Sequence, residues 1–320
     1  MGEQLETLAR FVAQTRWEDI PRAVQQHAKL VLLDTFGVIL AGSEQPEVRR
    51  LQAGMKSGAG TGATVYTRGG LTTDAGRAAL LNTIAGRSIE LCEGHVAVSS
   101  QAAVQIVPGV LAVGESTRSG GREMLTALIV GYDLGIRLGA ATTRRPLAHP
   151  NGQSSLLGAI AAGARLRGLN AADTSTAIRI GANLLVSASY TNVAAGATTI
   201  NVAGGMSGLA ATLAPELAIA GFSAQPDAIE QTMSSLVGDG FDASRLLDEL
   251  GTRWEISRNH FRLRACCNPI YPALDALGDA LAELHPEPED VERIDVATYA
   301  FAAGMRNAEP PNYFGSKYSL

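Results

Sequence analysis

Long apolar runs rich in Ala and Gly recur at helical spacing along most of this chain, and they constrain its fold more than any other feature. LVLLDTFGVILAG at 30–42, SSLLGAIAAGARL at 154–166 and GGMSGLAATLAPELAIAGF at 204–222 are three of them. Hydrophobic residues make up 46% of the chain and aromatics only 5%, with 35 glycines, so the core has to be filled by aliphatic side chains and by small residues that let backbones approach. That is the composition of closely packed helices. With 18% charged residues the chain is too apolar for disorder, and its 320 residues allow one large or two ordinary domains.

The periodicity predicts a helix over 4–15, with Leu5, Leu8, Phe11 and Val12 on one stripe, and a second from Pro21 to Gly42. This second helix is apolar nearly all round, so it is expected to be buried and Asp34 within it to need a partner. A Gly-rich connector spans 58–70, its run Ala63 to Tyr66 reading as a strand or an extended loop. Thr73 is the expected N-cap of a helix reaching Glu90. After a polar break, LCEGHVAVSSQ, further helices are predicted from the apolar run that follows and over 121–141, 153–167, 172–188 and 205–220. The short loops between them favour antiparallel neighbours. Near residue 265 the pattern changes: 273–284 returns to helical period, and VERIDVATYAF at 291–301 alternates well enough for a strand. The expected fold is mainly α, a large helical domain over 1–264 followed by the beginning of a smaller α+β element over 265–320.

Lys plus Arg number 26 and Asp plus Glu 31, a net charge of −5 with no basic block, which argues against a nucleic-acid partner. The apolar stretches are broken by Asp34 and Thr35, or by Tyr132, Asp133 and Arg137, short of the ~18 residues a membrane span needs, so no membrane partner is expected. The first residues read as an amphipathic helix rather than a cleavable leader. Three cysteines, Cys92, Cys266 and Cys267, imply no disulfide framework and have neither zinc nor iron–sulfur spacing. A reducing, cytoplasmic setting is expected, and chemistry without a metal.

No Walker loop, strand-linked GxGxxG or HExxH is present, and Gly204, Gly205 and Gly208 read as helix-packing residues. His27 and His285 read as solvated or capping, and His260 is balanced between structure and site. His95 and His149 each sit in a polar break beside small residues, where an imidazole can act as acid or base near neutral pH. His149 is followed by Asn151-Gly152-Gln153-Ser154-Ser155, which opens a helix whose N-terminal N–H groups favour an anion. Arg144 and Arg145 lie just upstream, and Arg262 and Arg264 form a second pair, suited to a carboxylate or simply to the surface. These clusters point to a small anionic substrate.

Several segments together resemble the MmgE/PrpD family, which contains 2-methylcitrate dehydratases, cis-aconitate decarboxylase and iminodisuccinate epimerase. They are LARFVAQTRWEDIPRAVQQHAKLVLLDTFGVILAGS, AALLNTIAGRSIELCEGH, GYDLGIRLGAAT, HPNGQSSLLGAIAAGARLRGLNAADTSTAIRIGANL, GGMSGLAATLAPELAIAGF, FRLRACCNPIYPALDAL and EPPNYFGSKYSL. The resemblance implies a helical domain, an α+β lid, a site between them in a homodimer, and no metal or organic cofactor. It places His149 at the family's site histidine and Glu90 at the first aspartate of its acidic motif, with Glu93 near a following acid. Arg262 stands for a site lysine, and Cys267 falls near another ligand-binding position. Two departures follow: Gln101 occupies the position of a histidine that precedes the apolar helix, and Thr198-Thr199 replaces a Thr-Lys pair. His95, six residues before Gln101, is a candidate to compensate. The last segment resembles the motif after which the family continues through its lid, so the lid is expected to be incomplete here.

The resulting expectation is a cofactor-free lyase acting on a small di- or tricarboxylate by abstraction of a proton α to a carboxylate, as in 2-methylcitrate dehydration. His149, Glu90 and His95 are the expected catalytic residues, and Gln101, Thr198, Thr199, Arg262 and Cys267 the substrate-binding ones. Epimerisation of an amino-dicarboxylate such as iminodisuccinate is the alternative, since it needs no leaving-group acid. A non-catalytic carboxylate-binding homologue is the alternative from another class.

Overall fold

The computed structural model describes residues 2–55 and 62–320. In chain order the helices are α1 (Gly2–Gln14), α2 (Arg22–Gly42), α3 (Pro46–Gly54), α4 (Ala75–Arg87), α5 (Ala102–Thr117), α6 (Gly121–Ala141) and α7 (Ser154–Leu166). There follow α8 (Ala171–Gly181), α9 (Thr191–Ala194), α10 (Ile200–Ile219), α11 (Ala228–Gln231), α12 (Tyr271–Leu284), α13 (Ala300–Ala303) and α14 (Tyr313–Ser316). The described strands form three antiparallel two-stranded pieces. β1 (Ala63–Val65) pairs with β2 (Leu71–Thr73), β3 (Gly94–His95) with β6 (Asn259–His260), and β4 (Thr142–Arg144) with β5 (Gly238–Phe241). The protein is mainly α.

The small residues do the work expected of them. α7 lies at the centre, against α5, α6, α8 and α10. A Cβ on Gly158 would sit 2.4 Å from the Gly131 carbonyl of α6, and one on Gly163 would sit 1.9 Å from the Ala211 carbonyl of α10. Any side chain there would push the helices apart. Gly208 is likewise pressed on α4, where a Cβ would meet the Ala79 carbonyl at 2.6 Å, so the glycine cluster of α10 is a packing surface. Leu5, Leu8 and Val12 of α1 join Leu134, Leu138, Leu157 and Ile160 in one core cluster, while Val24, Ala28 and Val31 of α2 join Ile106, Val110 and Ile129 in a second.

Several expectations are corrected. α6 and α10 are long and apolar enough to cross a bilayer, but 78% and 56% of their most apolar stretches are buried inside the protein. α6 moreover buries the Asp133–Arg137 ion pair, whose Arg137 donates to the Asp248 and Arg253 carbonyls at 2.6 and 3.1 Å. α2 is not buried all round: Leu30, Leu33 and Leu40 form an exposed row. Asp34 is half-buried and its Oδ2 has no hydrogen-bond partner among the described residues, so the expected pairing is not found; burial pushes its carboxyl up to about 6. The N-cap of α4 is Asp74, one residue beyond the expected Thr73, and its carboxylate accepts from the Arg77 N–H at 2.9 Å. Within the connector 58–70, Ala63–Val65 is a strand, and residues 58–61 lie outside the described residues.

Two further differences shape the site. The helix expected over 172–188 ends at Gly181, because the next residues run alongside the loop before α7. The His149 N–H donates to the Ala188 carbonyl and the Val186 N–H to the Gly152 carbonyl, both at 2.9 Å, and these contacts take the place of further helical turns. Residues 291–299 form no strand: Val291, Ile294, Val296 and Tyr299 are exposed, and no described segment pairs with them, without which a strand is not stable. The segment 265–320 touches the helices through Cys266, Cys267, Ile270, Phe314 and Tyr318, packed with Val193, Ile200 and Ala203.

Candidate functional site

α4 ends in a buried charge. Arg87, its last residue, donates from Nη2 to Glu90 Oε2 and from Nη1 to Cys92 Sγ, each at 2.9 Å. Glu90 stands three residues on, in a turn where its backbone adopts φ 51°, a left-handed conformation that a non-glycine residue holds only when its surroundings enforce it. Here the enforcement is electrostatic. Arg262, reached 172 residues later, donates from Nη1 to Glu90 Oε1 at 2.7 Å and to the Glu90 and Cys266 carbonyls at 3.1 Å. Burial opposes ionisation of Glu90, but Arg87 and then Arg262 outweigh it and hold the carboxyl down at about 2.

Arg262 is not satisfied by these partners. Its Nε and Nη2 are buried without a hydrogen-bond partner among the described residues, and they form the side edge of the guanidinium. That edge is a two-donor fork matching the spacing of a carboxylate. Arg262 lines a cavity of about 360 Å³, within the range of small-molecule sites, together with Glu90, Gln101, Arg144, His149, Tyr190, Cys267 and Tyr318.

His149 is held by its own loop. Its Nδ1 accepts the Asn151 N–H at 3.2 Å, and its ring stacks on Tyr190 with centroids 5.3 Å apart. Burial, and after it the positive charge of Arg87, pushes its pKa down to about 3, so the ring is neutral at ordinary pH. With Nδ1 accepting, the neutral tautomer carries its proton on Nε2 and is a donor. The loop geometry depends on Gly152 at φ +80°, where a Cβ would meet the Ala203 carbonyl at 2.8 Å. The Gly152 N–H is anchored on Gln105 Oε1 at 2.8 Å, and Gln105 Oε1 also accepts from Ser207 of α10.

Asn151 joins the two halves of the site. With its amide turned to suit both neighbours, its oxygen accepts from Arg87 Nε at 2.8 Å and its nitrogen donates to Gln101 Oε1 at 3.1 Å. Gln101 therefore offers its NH2 group rather than its oxygen. Cys267, beneath Tyr190 with Sγ 3.6 Å from the phenol, is pushed up to about 12 by burial and the nearby Glu90 charge, and is a thiol at ordinary pH. Burial and the Glu90 charge likewise push the Tyr318 phenol well above its usual range. Among the described residues, no three His, Cys, Asp or Glu side chains converge as metal ligands.

Of the residues singled out from sequence, the structure brings Glu90, Gln101, His149, Arg262 and Cys267 to one cavity. It does not bring His95, Thr198 or Thr199 there. His95 is drawn into the β3–β6 pairing, with Nε2 3.2 Å from Glu255 Oε2, a carboxylate that His95, Arg253 and Arg258 hold at about 2 against the cost of burial. Thr198 is half-buried and Thr199 exposed at the start of α10. Glu93 is buried behind the site, accepting from the Ala103 N–H at 2.6 Å and from the Tyr132 hydroxyl at 2.9 Å, which fixes the first turn of α5 beside Gln101. Arg87, Tyr190 and Tyr318 are additions. Arg87 carried a signal, a charge closing an apolar helix three residues before an acid; Tyr190 and Tyr318 carried none. Arg144 lines the cavity, donating to the Ala148 carbonyl at 2.6 Å, whereas Arg145 is a surface partner of Asp239.

The pattern of the MmgE/PrpD N-terminal domain matches residues 6–241, nearly three quarters of the chain. The chain belongs to the MmgE/PrpD family. The match includes Glu90, Gln101, Arg144, His149 and Tyr190, while Arg262, Cys267 and Tyr318 lie beyond it. A similar protein is the cis-aconitate decarboxylase-like protein oryM of Aspergillus oryzae, 28% identical over 190 residues, which are 56% of this chain and 39% of that protein. The chain thus aligns with about two fifths of the length of this MmgE/PrpD relative.

Proposed function

We propose that this MmgE/PrpD chain binds a small di- or tricarboxylate and takes part in lyase chemistry on it, abstracting a proton α to a carboxylate as in 2-methylcitrate dehydration. The observation that carries this reading is the unpartnered side edge of Arg262, a buried two-donor fork on a side chain that lines the cavity. Burying a guanidinium with two unpaired N–H groups costs free energy that a carboxylate there recovers through charge-assisted bonds. Arg87, Arg144 and Arg262 against Glu90 leave the site two net positive charges, which suits a dianion.

In this reading one substrate carboxylate lies on the Arg262 fork. The nearby guanidinium charges stabilise the negative charge that develops on that carboxylate as the α-proton leaves. His149 first donates from Nε2 to a substrate oxygen. To accept the α-proton at Nε2 it must shift its own proton to Nδ1 and give up the Asn151 contact, a cost of about 1–3 kcal/mol. A bound dianion offsets the repulsion from Arg87 and Arg144 that keeps the ring neutral, so substrate itself raises the proton affinity of His149. Gln101 donates to a carboxylate or hydroxyl oxygen and moves no proton. In this reading the protein acts in the cytoplasm, in solution, as a homodimer.

The test is proton exchange. Incubated in deuterated water with 2-methylcitrate, citrate, cis-aconitate or iminodisuccinate, the protein is expected to exchange or eliminate at the α-carbon of one of them, followed by NMR, and His149→Ala to abolish it. An alkene from a hydroxy acid supports dehydration; inversion with deuterium incorporation and no alkene supports the epimerase alternative. Equal rates for the wild type and His149→Ala would remove His149 from the mechanism.

A further inference from the structure

A second polar cavity, of about 350 Å³, lies behind the wall formed by Ser99, Arg144 and Pro150, three residues that line it and the catalytic cavity alike. Its lining includes Arg144, Arg245, Gln153 and Ser154 and contains no acidic side chain. Ser154 opens α7, a helix of 13 residues whose first N–H groups have no carbonyl acceptor within the helix and carry the positive end of its dipole. The independent observation is Gln153. It is 3% exposed, and its Nε2 has no hydrogen-bond partner among the described residues. A buried amide donor, a helix N-terminus and two guanidinium groups line one space that no acidic side chain lines, the nearest balance being Asp242, paired with Arg245 Nε at 3.3 Å outside that lining.

We propose that this annexe is an oxyanion-binding subsite, taking a single carboxylate or phosphate group between Gln153, the start of α7, Arg245 and Arg144. Arg144 holds itself to the Ala148 carbonyl through Nη1, and Arg245 to the Ala140 carbonyl through its own Nη1 and to Asp242 through Nε, which leaves Nη2 of both for the anion. Because Arg144 belongs to both cavities, an anion in the annexe bears directly on the charge that the substrate meets. The anion has two sources, a free inorganic ion or the far acid group of a substrate lying across the wall, and both use the same donors.

The test is calorimetric titration of the whole chain with inorganic phosphate. Saturable binding is expected, weakened about tenfold in Gln153→Leu and in Arg245→Ala, each of which removes donors to a charged group. Arg245 is largely exposed, so its variant keeps the fold and the test intact if Gln153→Leu does not. Repeating the titration with citrate present separates the sources: displacement of phosphate assigns the annexe to the substrate's own acid group, and simultaneous binding assigns it to a free ion. Absence of saturable phosphate binding, or binding unchanged in every variant that folds, overturns the proposal. None of these readouts depends on turnover, so the subsite and the lyase reading stand or fall separately.

Discussion

Replacing Glu90 by Gln removes the one negative charge between two buried guanidinium groups. Arg87 and Arg262 hold the Glu90 carboxyl at about 2 against an ordinary 4.5, and both partners are buried with it. A displacement of this size is worth about 3 kcal/mol of folded-state stability, in line with the ~3–5 kcal/mol cost of breaking a buried ion pair. The sign follows from linkage: the folded carboxyl is the stronger acid, so the contribution is complete above pH 4.5 and drains away as pH falls from 4.5 towards 2. Urea denaturation at pH 7 should therefore show Glu90→Gln less stable than the wild type by about 3 kcal/mol, and its melting temperature roughly 4–5 °C lower. At pH 3 the gap should be much smaller. A variant matching the wild type at pH 7, or a gap that persists unchanged into acid, would refute the account of this cluster.

Glu93 behaves oppositely: burial pushes it up to about 7 in spite of its two hydrogen bonds, so it lowers stability progressively as pH rises from 4.5 to 7, by about 3 kcal/mol, and Glu93→Gln should flatten that fall in a pH series of denaturation curves. His149 is held near 3, which makes the free protein gain stability between pH 3 and 6.5; an NMR titration of the ring in the free protein with a midpoint near 6.5 would contradict this. If substrate raises the proton affinity of His149 as argued, the acid limb of kcat should lie at higher pH than that of kcat/KM. Gly152→Ala forces a Cβ against the Ala203 carbonyl at positive φ, and should cost at least about 1–3 kcal/mol by denaturation while weakening anion binding.

The helical part of the fold was legible because its signal is local and dense. Leu5, Leu8 and Val12 repeat on one face of α1, and the glycines of α7 and α10 announced close helix contacts that the Gly163–Ala211 approach realises. The end of α8 was not legible, since Asn183 to Ala188 retain an apolar run; what stops the helix is hydrogen bonding to the His149 loop, a partner more than thirty residues away. The alternation at 291–301 failed for the same reason, because a strand is defined by a neighbour and the described chain supplies none. In the site, His149 and Arg262 could be read from residue type and context. The separation of His95 from Gln101 could not: the two are six residues apart, yet the β3–β6 pairing turns one ring to Glu255 while Gln101 faces the cavity. The clamp of Glu90 between Arg87 and Arg262 spans 175 residues, and only folding brings it together.

The measurement that tests the central claim most directly is a thermal melt with citrate, 2-methylcitrate, cis-aconitate and iminodisuccinate, run on the wild type and on Arg262→Gln. An acid present at 100 times its dissociation constant adds about 2.7 kcal/mol of stability to a protein that binds it. At least one of the four should raise the wild-type melting temperature, and the variant, having lost the fork, should show that shift reduced or absent at the same concentration. A wild-type melt indifferent to all four acids, or an equal shift in Arg262→Gln, would contradict the assignment of this cavity to a carboxylate substrate.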